Sequence, residues 1–333
     1  MPEMSTGQAI KKALSLCLDN YEEAFLAGED IGIYGGAFGV TDGLLEQYGE
    51  NRIKDTPISE DVIAGLGVGA AITGMRPIVE MQFSDFIVNA MDPIVNQAAK
   101  LHFMYGGSVD VPLIVRGASG GGTGAAAQHS QSLESWFCHV PGLKVVTPSG
   151  PQNAYDLLLA SFVDRNPIIF MEHKLIYKIK EEVEINDFPK DSSLLGKGKV
   201  ISEGSDITVV SYSNMINTVK EAIKDKQLEK YSVELIDLMT LSPLDVDLVI
   251  SSVNKTGRLL MCQEASGDSS VGSTVITRVV SSDAFKKIKT PPKLLSGLHS
   301  PMPSAKHLEN KVIPQKDDII NSIIEIIEII ENE

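Results

Sequence analysis

Apolar residues recur at helical spacing in the first twenty positions, at Ala9, Ile10, Ala13, Leu14, Leu16 and Cys17. With Ser5 or Thr6 as a cap, they predict an amphipathic helix to about residue 19. The pattern then shortens into apolar runs bounded by glycine, proline and charged residues. Residues 24–27, 76–83, 112–115, 143–147 and 168–171 read as strands of the kind buried in a parallel sheet. Helical patterns lie between them: one from Glu60 through the glycine-bearing stretch to residue 74, one over 86–104 kinked or restarted at Asp92-Pro93, and one opened by Pro151. Strand and helix in alternation predict an α/β domain over residues 1–175. A Lys- and Glu-rich linker with Pro189, Gly196 and Gly198 spans 176–204 and leaves room for short hairpin pieces. A second α/β domain occupies 205–333, with strands at 207–210, 233–238 and 258–263. Its helices are expected at 215–226, 245–253, 272–280 and from Asp317 to the end.

Composition narrows the function classes. The 333 residues are 43% hydrophobic and 22% charged, enough for two buried cores. A net charge of −15 argues against a duplex-binding surface, and no apolar run reaches membrane length, so neither nucleic acid nor a membrane is an expected partner. Cys17, Cys138 and Cys262 are scattered, without zinc spacing, and read as small apolar groups in a reducing compartment. The cytoplasm is the default location. His102, His139, His173, His299 and His307 have no ligand spacing either.

The densest chemistry sits in Asp55-Thr56-Pro57-Ile58-Ser59-Glu60. Pro57 keeps Thr56 extended, and Ser59 can cap a helix whose first residue is Glu60. Gly65, Gly67 and Gly69 follow inside that helix, each costing about 1 kcal/mol relative to alanine, so close packing or chemistry must offset them. Gly65, Gly69 and Thr73 share a face against which another backbone or a cofactor can lie. Glu60 and Asp61 read either as first-turn acids favoured by the helix dipole or, for Glu60, as a partly buried carboxylate kept for proton exchange. Glu29 ends the 24–27 strand, where open α/β folds gather their active residues. Residues 116–124, with five glycines, are expected to leave the preceding strand as a loop that delivers Gln128-His129-Ser130-Gln131. That loop lacks the lysine and hydroxyl of a nucleotide-binding loop, and the glycines at 65, 67 and 69 lie too deep in a helix to form a dinucleotide-binding turn. A stand-alone nucleotide-binding oxidoreductase is therefore disfavoured.

Four motifs in order carry a family resemblance: Asp55-Thr56-Pro57-Ile58-Ser59-Glu60, Arg76-Pro77-Ile78, Ala126-Ala127-Gln128-His129-Ser130-Gln131, and Pro141-Gly142-Leu143-Lys144-Val145-Val146. Pro301-Met302-Pro303 and Ile313-Pro314-Gln315 extend it. The chain resembles, over nearly its whole length, the beta subunit of a thiamine-diphosphate-dependent 2-oxoacid dehydrogenase, the decarboxylating component of the pyruvate and branched-chain complexes. The acetoin dehydrogenase beta subunit is similar too. The resemblance implies a pyrimidine-binding domain followed by a transketolase C-terminal-like domain. It implies that Glu60 hydrogen-bonds the cofactor's aminopyrimidine, so that the cofactor can deprotonate its own thiazolium carbon. Phe86 matches the aromatic residue stacked on the pyrimidine, with Met81 and Phe83 as pocket neighbours. Glu29 matches an acid close to the cofactor carboxylate and part of a proton path, and His129 a histidine of substrate binding and acyl transfer to lipoamide.

The resemblance also implies a structural potassium ion near Leu113, Ser161, Phe162, Asp164 and Asn166. Magnesium and the cofactor diphosphate are held in such enzymes by a Gly-Asp-Gly motif, but here Gly267-Asp268 runs into Ser269-Ser270. The other half of the site is therefore expected from an alpha subunit in a two-alpha, two-beta assembly, with a lipoyl acyltransferase core as further partner and a 2-oxo acid as substrate. On that footing the Gly65 and Gly69 face is a candidate inter-subunit contact, with burial inside this chain as its alternative. A scaffold subunit whose acids do no chemistry is the alternative outside enzymology.

Overall fold

Ser5 rather than Thr6 caps the first helix, α1 (Thr6–Asn20): Ser5 Oγ accepts from Gln8 N at 3.2 Å, and Gln8 Oε1 accepts from Ser5 N at 2.8 Å. The reciprocal pair satisfies two otherwise orphaned donors and orients the buried stripe of Ala9, Ile10, Ala13, Leu14 and Cys17. A computed structural model describes residues 1–329 and resolves two units, one built from residues 1–119 and 136–195, the other from 120–135 and 196 onward.

In the first unit, six strands run parallel: β1 (Ala24–Gly28), β2 (Ile53–Asp55), β3 (Arg76–Phe83), β4 (Ile114–Ser119), β5 (Lys144–Val146) and β6 (Ile168–His173). Their spatial order is β5-β6-β4-β3-β1-β2. After β1 the chain steps to one side to form β2, then returns across β1 to form β3. This reversal opens a crevice at the carboxyl ends of β1 and β3, the usual binding place in an open parallel sheet. Helix α2 (Glu60–Ile72) connects β2 to β3 and packs on β3, and α3 (Pro151–Val163) lies against α1.

Several expectations change in detail. Ser59 occupies the cap position of α2, but its side chain makes no capping hydrogen bond. The 86–104 segment is helical in three windings: a 3-10 stretch Ser84–Ala90, a π stretch Asp92–Ala98 and an α-helix Ala99–Met104. The winding changes at Asp92-Pro93, because the proline lacks the N–H that an α ladder needs there. Residues 116–119 do continue their strand, against the expectation of a loop. Arg116 stays in β4 because its guanidinium is buried between two carboxylates, so a charged residue sits in the sheet interior without an unpaired charge.

The second unit's sheet has the order β11-β10-β8-β9-β7, from β7 (Lys199–Ser202), β8 (Ile207–Ser211), β9 (Val233–Asp237), β10 (Leu259–Ser266) and β11 (Lys293–Gly297). All neighbours are parallel except the edge strand β7, which runs antiparallel to β9. Alternation along β8 sends Ile207 and Val209 into a core shared with α4 (Met215–Ile223), while Thr208 meets Ser252 and Thr256 of α5 (Val246–Thr256) on the other face. Helices α6 (Val271–Val280), α7 (Lys306–Val312) and α8 (Lys316–Glu328) complete the unit, and Ile319, Ile320 and Ile323 of α8 enter the core. The expected terminal helix is seen as far as residue 329; its last positions, 330–333, lie outside the described residues. Strand β11 and helix α7 were not expected, because their short patterns carry little periodicity.

Of the cysteines, Cys17 and Cys262 are buried and Cys138 is half-buried. Burial pushes both buried thiols up, which keeps them uncharged.

Gly142, at the start of the segment that becomes β5, has φ +102°, and a Cβ there would fall on the Ala99 carbonyl oxygen. Gly142→Ala is expected to cost about 2–4 kcal/mol of stability, from left-handed strain plus collision with a fixed backbone. A thermal unfolding midpoint within a degree of wild type would contradict this.

Candidate active site

The crevice between β1 and β3 gathers two acids from different elements. Glu29 follows the end of β1, and Glu60 opens α2; they are 3% and 7% exposed. Burial, then the charges of Glu60 and Asp30, push the Glu29 carboxyl above its usual range, and a hydrogen bond from the Ser59 backbone pulls partly the other way. Ser59 thus serves the site through its main chain instead of its hydroxyl. Glu60 Oε2 accepts from Asn89 Nδ2 at 3.3 Å, and Glu29 Oε1 is buried without a hydrogen-bond partner among the described residues. Acceptors here outnumber the donors that the chain supplies, which fits a ligand carrying N–H groups. The aminopyrimidine of thiamine diphosphate is such a ligand.

Aromatic rings stand beside the acids. Phe83 and Phe86 meet edge to face at 6.1 Å, Phe38 meets Phe83 at 5.7 Å, and Phe38 stacks on Tyr177 at 5.0 Å. Phe83 and Phe86 are half-buried, whereas Met81 is wholly buried. Asp55 fixes the loop that follows Glu29 by accepting from Gly32 N at 2.6 Å and Ile33 N at 3.2 Å.

Sequence reasoning missed the charged floor below these rings. Arg116 reaches Glu172 through both Nε and Nη2, at 2.8 and 2.7 Å, and Glu80 through Nη1, while Tyr177 donates to Glu172 at 2.7 Å. One guanidinium serves two carboxylates. Burial therefore holds the Glu80 carboxyl above its usual range even though Arg116 lowers it, and the Arg116 guanidinium is held firmly charged. The available signal was an arginine in an apolar strand at the same register as a glutamate in its neighbour, Glu80 opposite Arg116.

His129 belongs to the 120–135 segment of the second unit. Its backbone closes a turn with Ala126 O at 3.3 Å, and Ala126 itself has φ +63°. Gly120 N donates to Gln131 O at 3.0 Å and closes the base of the loop.

The residues expected around potassium lie at the carboxyl end of α3. Leu113 O accepts from Ile168 N, Ser161 O from Asp164 N, and Phe162 O from the Arg76 guanidinium. Asp164 pairs with Lys144 at 2.5 Å and accepts from Asn166. Burial raises the Asp164 carboxyl, but Lys144, Ser192 and Asn166 together hold it below its usual range. These residues do not by themselves fit a cation: two positive side chains already occupy the corner, and its one carboxylate is neutralised. Asp268, in the stretch where the Gly-Asp-Gly motif is interrupted, pairs with the exposed His299 at 2.8 Å. Among the described residues no group of three or more His, Cys, Asp or Glu side chains could hold a metal, and no helix is long and apolar enough to cross a membrane.

Comparison with known proteins agrees with this architecture. Residues 2–180 match the transketolase pyrimidine binding domain, and residues 196–319 match the transketolase C-terminal domain. The chain is 39% identical over 325 residues to the pyruvate dehydrogenase E1 component subunit beta of Rickettsia bellii, covering 96% of this chain and 98% of that protein. It is 38% identical over 329 residues to the subunit of the same name from Staphylococcus aureus, covering 98% of this chain and all of that protein. A split-gene transketolase solved as an inactive beta4 tetramer shares the fold, with a TM-score of 0.78 at 18% identity over 97% of this chain and 98% of that one. With two domains in this order and near-complete overlap with these relatives, the chain belongs to the family of pyruvate dehydrogenase E1 component beta subunits.

Proposed function

We propose that this chain is the beta subunit of a thiamine-diphosphate-dependent 2-oxoacid dehydrogenase, which decarboxylates pyruvate and passes the acyl group to lipoamide. The observation that carries this reading is the buried Glu29 and Glu60 pair, short of donors, beside half-buried phenylalanines at the sheet's crevice. The names of the matched relatives favour pyruvate over other 2-oxo acids.

When bound, thiamine diphosphate supplies a nucleophilic thiazolium carbon and an electron sink for the carbon dioxide-releasing step. The chain's own groups hold and prepare it. Glu60 would accept a hydrogen bond from the ring nitrogen of the bound pyrimidine, with Asn89, which donates to Glu60, keeping the carboxylate aimed. Glu29 offers a second acceptor, and burial holds its carboxyl above its usual range. Phe86 and Phe83 cover the ring and exclude water, with Met81 filling the wall behind them. His129 binds the substrate and then assists the transfer of the acyl group to lipoamide sulfur.

Magnesium and the diphosphate would rest on an alpha subunit. The surface for that partner is the outward face of α2. Ile58, Val62, Leu66 and Ile72 are 80%, 64%, 45% and 45% exposed, and a Cβ at Gly65 or Gly69 would meet nothing within 4 Å. Gly67 alone of the three glycines packs inside the chain, against Leu113 and Val79. A stripe this apolar and this flat suits another chain's helix at close range. The lipoyl acyltransferase core is the further partner.

Three measurements test the reading. Glu60→Gln in the assembled enzyme is expected to lower pyruvate turnover by about a hundredfold or more, with assembly intact; a fully active mutant would refute the assignment. For His129→Ala, acyl transfer to a lipoyl domain should slow on the order of tenfold or more, and wild-type kinetics of that step would remove its role. Leu66→Asp should weaken association with the alpha subunit at least about tenfold, since a buried unpaired charge costs several kcal/mol. It should also leave the melting temperature of the isolated chain unchanged, and undiminished co-assembly would place the partner elsewhere.

A further inference from the structure

The loop that carries His129 is rich in glycine, and apolar packing alone does not hold it. Beside it lies a cavity of about 360 Å³, lined by Ala127, Ser130 and Gln131 on the loop side and by Leu298, Met302 and Val312 opposite. Ser130 is 1% exposed, and its hydroxyl has no hydrogen-bond partner among the described residues. Tethering comes from two carboxylates of the same unit. Glu309 Oε1 accepts from Gly122 N at 2.7 Å and from Gly124 N at 3.2 Å, while Glu264 Oε1 accepts from Gly121 N at 2.6 Å and Ser132 Oγ at 3.2 Å.

Glu309 is wholly buried, on α7. Burying a carboxylate is expensive unless it is paired and hydrogen-bonded. Here the loop amides and Lys306 offset the expense: Lys306 Nζ lies 3.5 Å from Glu309 Oε2 and donates to Gly122 O at 2.9 Å. The loop in turn could not bury its amides without an acceptor. Gly121 is pressed so closely on Ile313 and Met302 that a Cβ would come within 2.8 Å and 3.0 Å of their side chains, and Gly124 has φ +73°. Loop and carboxylate therefore fit only each other.

We propose that Glu309, assisted by Glu264, is a positioning residue for the His129 loop, so that both steps given to His129, substrate binding and acyl transfer to lipoamide, depend on it. This rests on the role given to His129 above. Glu309 acts by fixing the backbone of the loop that carries His129.

The test uses the assembled enzyme, with decarboxylation followed by an artificial electron acceptor and acyl transfer followed on a lipoyl domain. Glu309→Ala should lower kcat/KM for acyl transfer by about tenfold, as loss of charge-assisted hydrogen bonds would, and raise the KM for pyruvate in the decarboxylation assay while keeping its kcat within about twofold of wild type. It should also speed amide exchange over residues 120–135. Glu309→Gln retains an acceptor oxygen and should recover most of the transfer rate, whereas Glu309→Met fills the same space without a comparable acceptor and should not. If His129→Ala, measured alongside, transfers acyl groups normally, the reading of His129 fails. If His129→Ala is slow and Glu309→Ala transfers normally, the positioning role alone is overturned. Should Glu309→Ala fail to assemble, Lys306→Ala decides: its exposed side chain makes the change tolerable, and about threefold slower transfer is expected. Unchanged transfer in that variant would overturn the proposal.

Discussion

Two like charges held together out of water set the terms for the first unit. Glu29 and Glu60 come from elements far apart in sequence, and the sheet reversal after β2 is what brings them to one crevice. Left to themselves, two carboxylates in such a place repel each other and lose hydration. They persist because the surrounding chain is fixed on every side. Asp55 ties down the loop after Glu29, Asn89 approaches Glu60, and the Ser59 main chain bonds to Glu29. The acceptor left over, Glu29 Oε1, is the atom that the proposed donor-bearing ring would meet.

The same logic governs the layer beneath. Arg116, Glu80 and Glu172 form a buried ionic cluster whose single positive charge is shared between two acids. Such clusters add little net stability compared with apolar packing, but removing one member leaves a buried charge unpaired. Tyr177, which donates to Glu172, also stacks on Phe38, and Phe38 meets Phe83. The rings beside the acids therefore rest on a floor that fixes where they stand.

Much of this was legible from residue patterns, and the failures share a cause. The Glu60 motif, the β3 strand and the helix opened by Pro151 announce themselves through short-range chemistry: a proline before a cap position, an apolar run, a proline at the first turn. Residues 116–119 were misread as loop because arginine followed by glycine looks like a break in a strand, and only long-range pairing with Glu80 and Glu172 makes Arg116 an interior residue. Glu264 and Glu309 were invisible for the same reason, since their partners are backbone amides more than a hundred residues away. Local signals reveal elements, while a side chain whose purpose is to hold a distant backbone leaves no periodic trace. The face shared by Gly65 and Gly69 shows the limit from the other direction: spacing identified the stripe, and only coordinates show that this chain leaves it uncovered while Gly67 turns inward.

That uncovered stripe bears on how the protein must be made. Ile58, Val62 and Leu66 present a greasy ridge to solvent on a chain whose surface is otherwise strongly acidic. Copies synthesised in excess of their counterpart would expose it continuously, and like ridges would find one another. With the proposed partner covering that face, balanced expression of the two polypeptides, or prompt capture of each newly folded copy, would follow from one face of one helix.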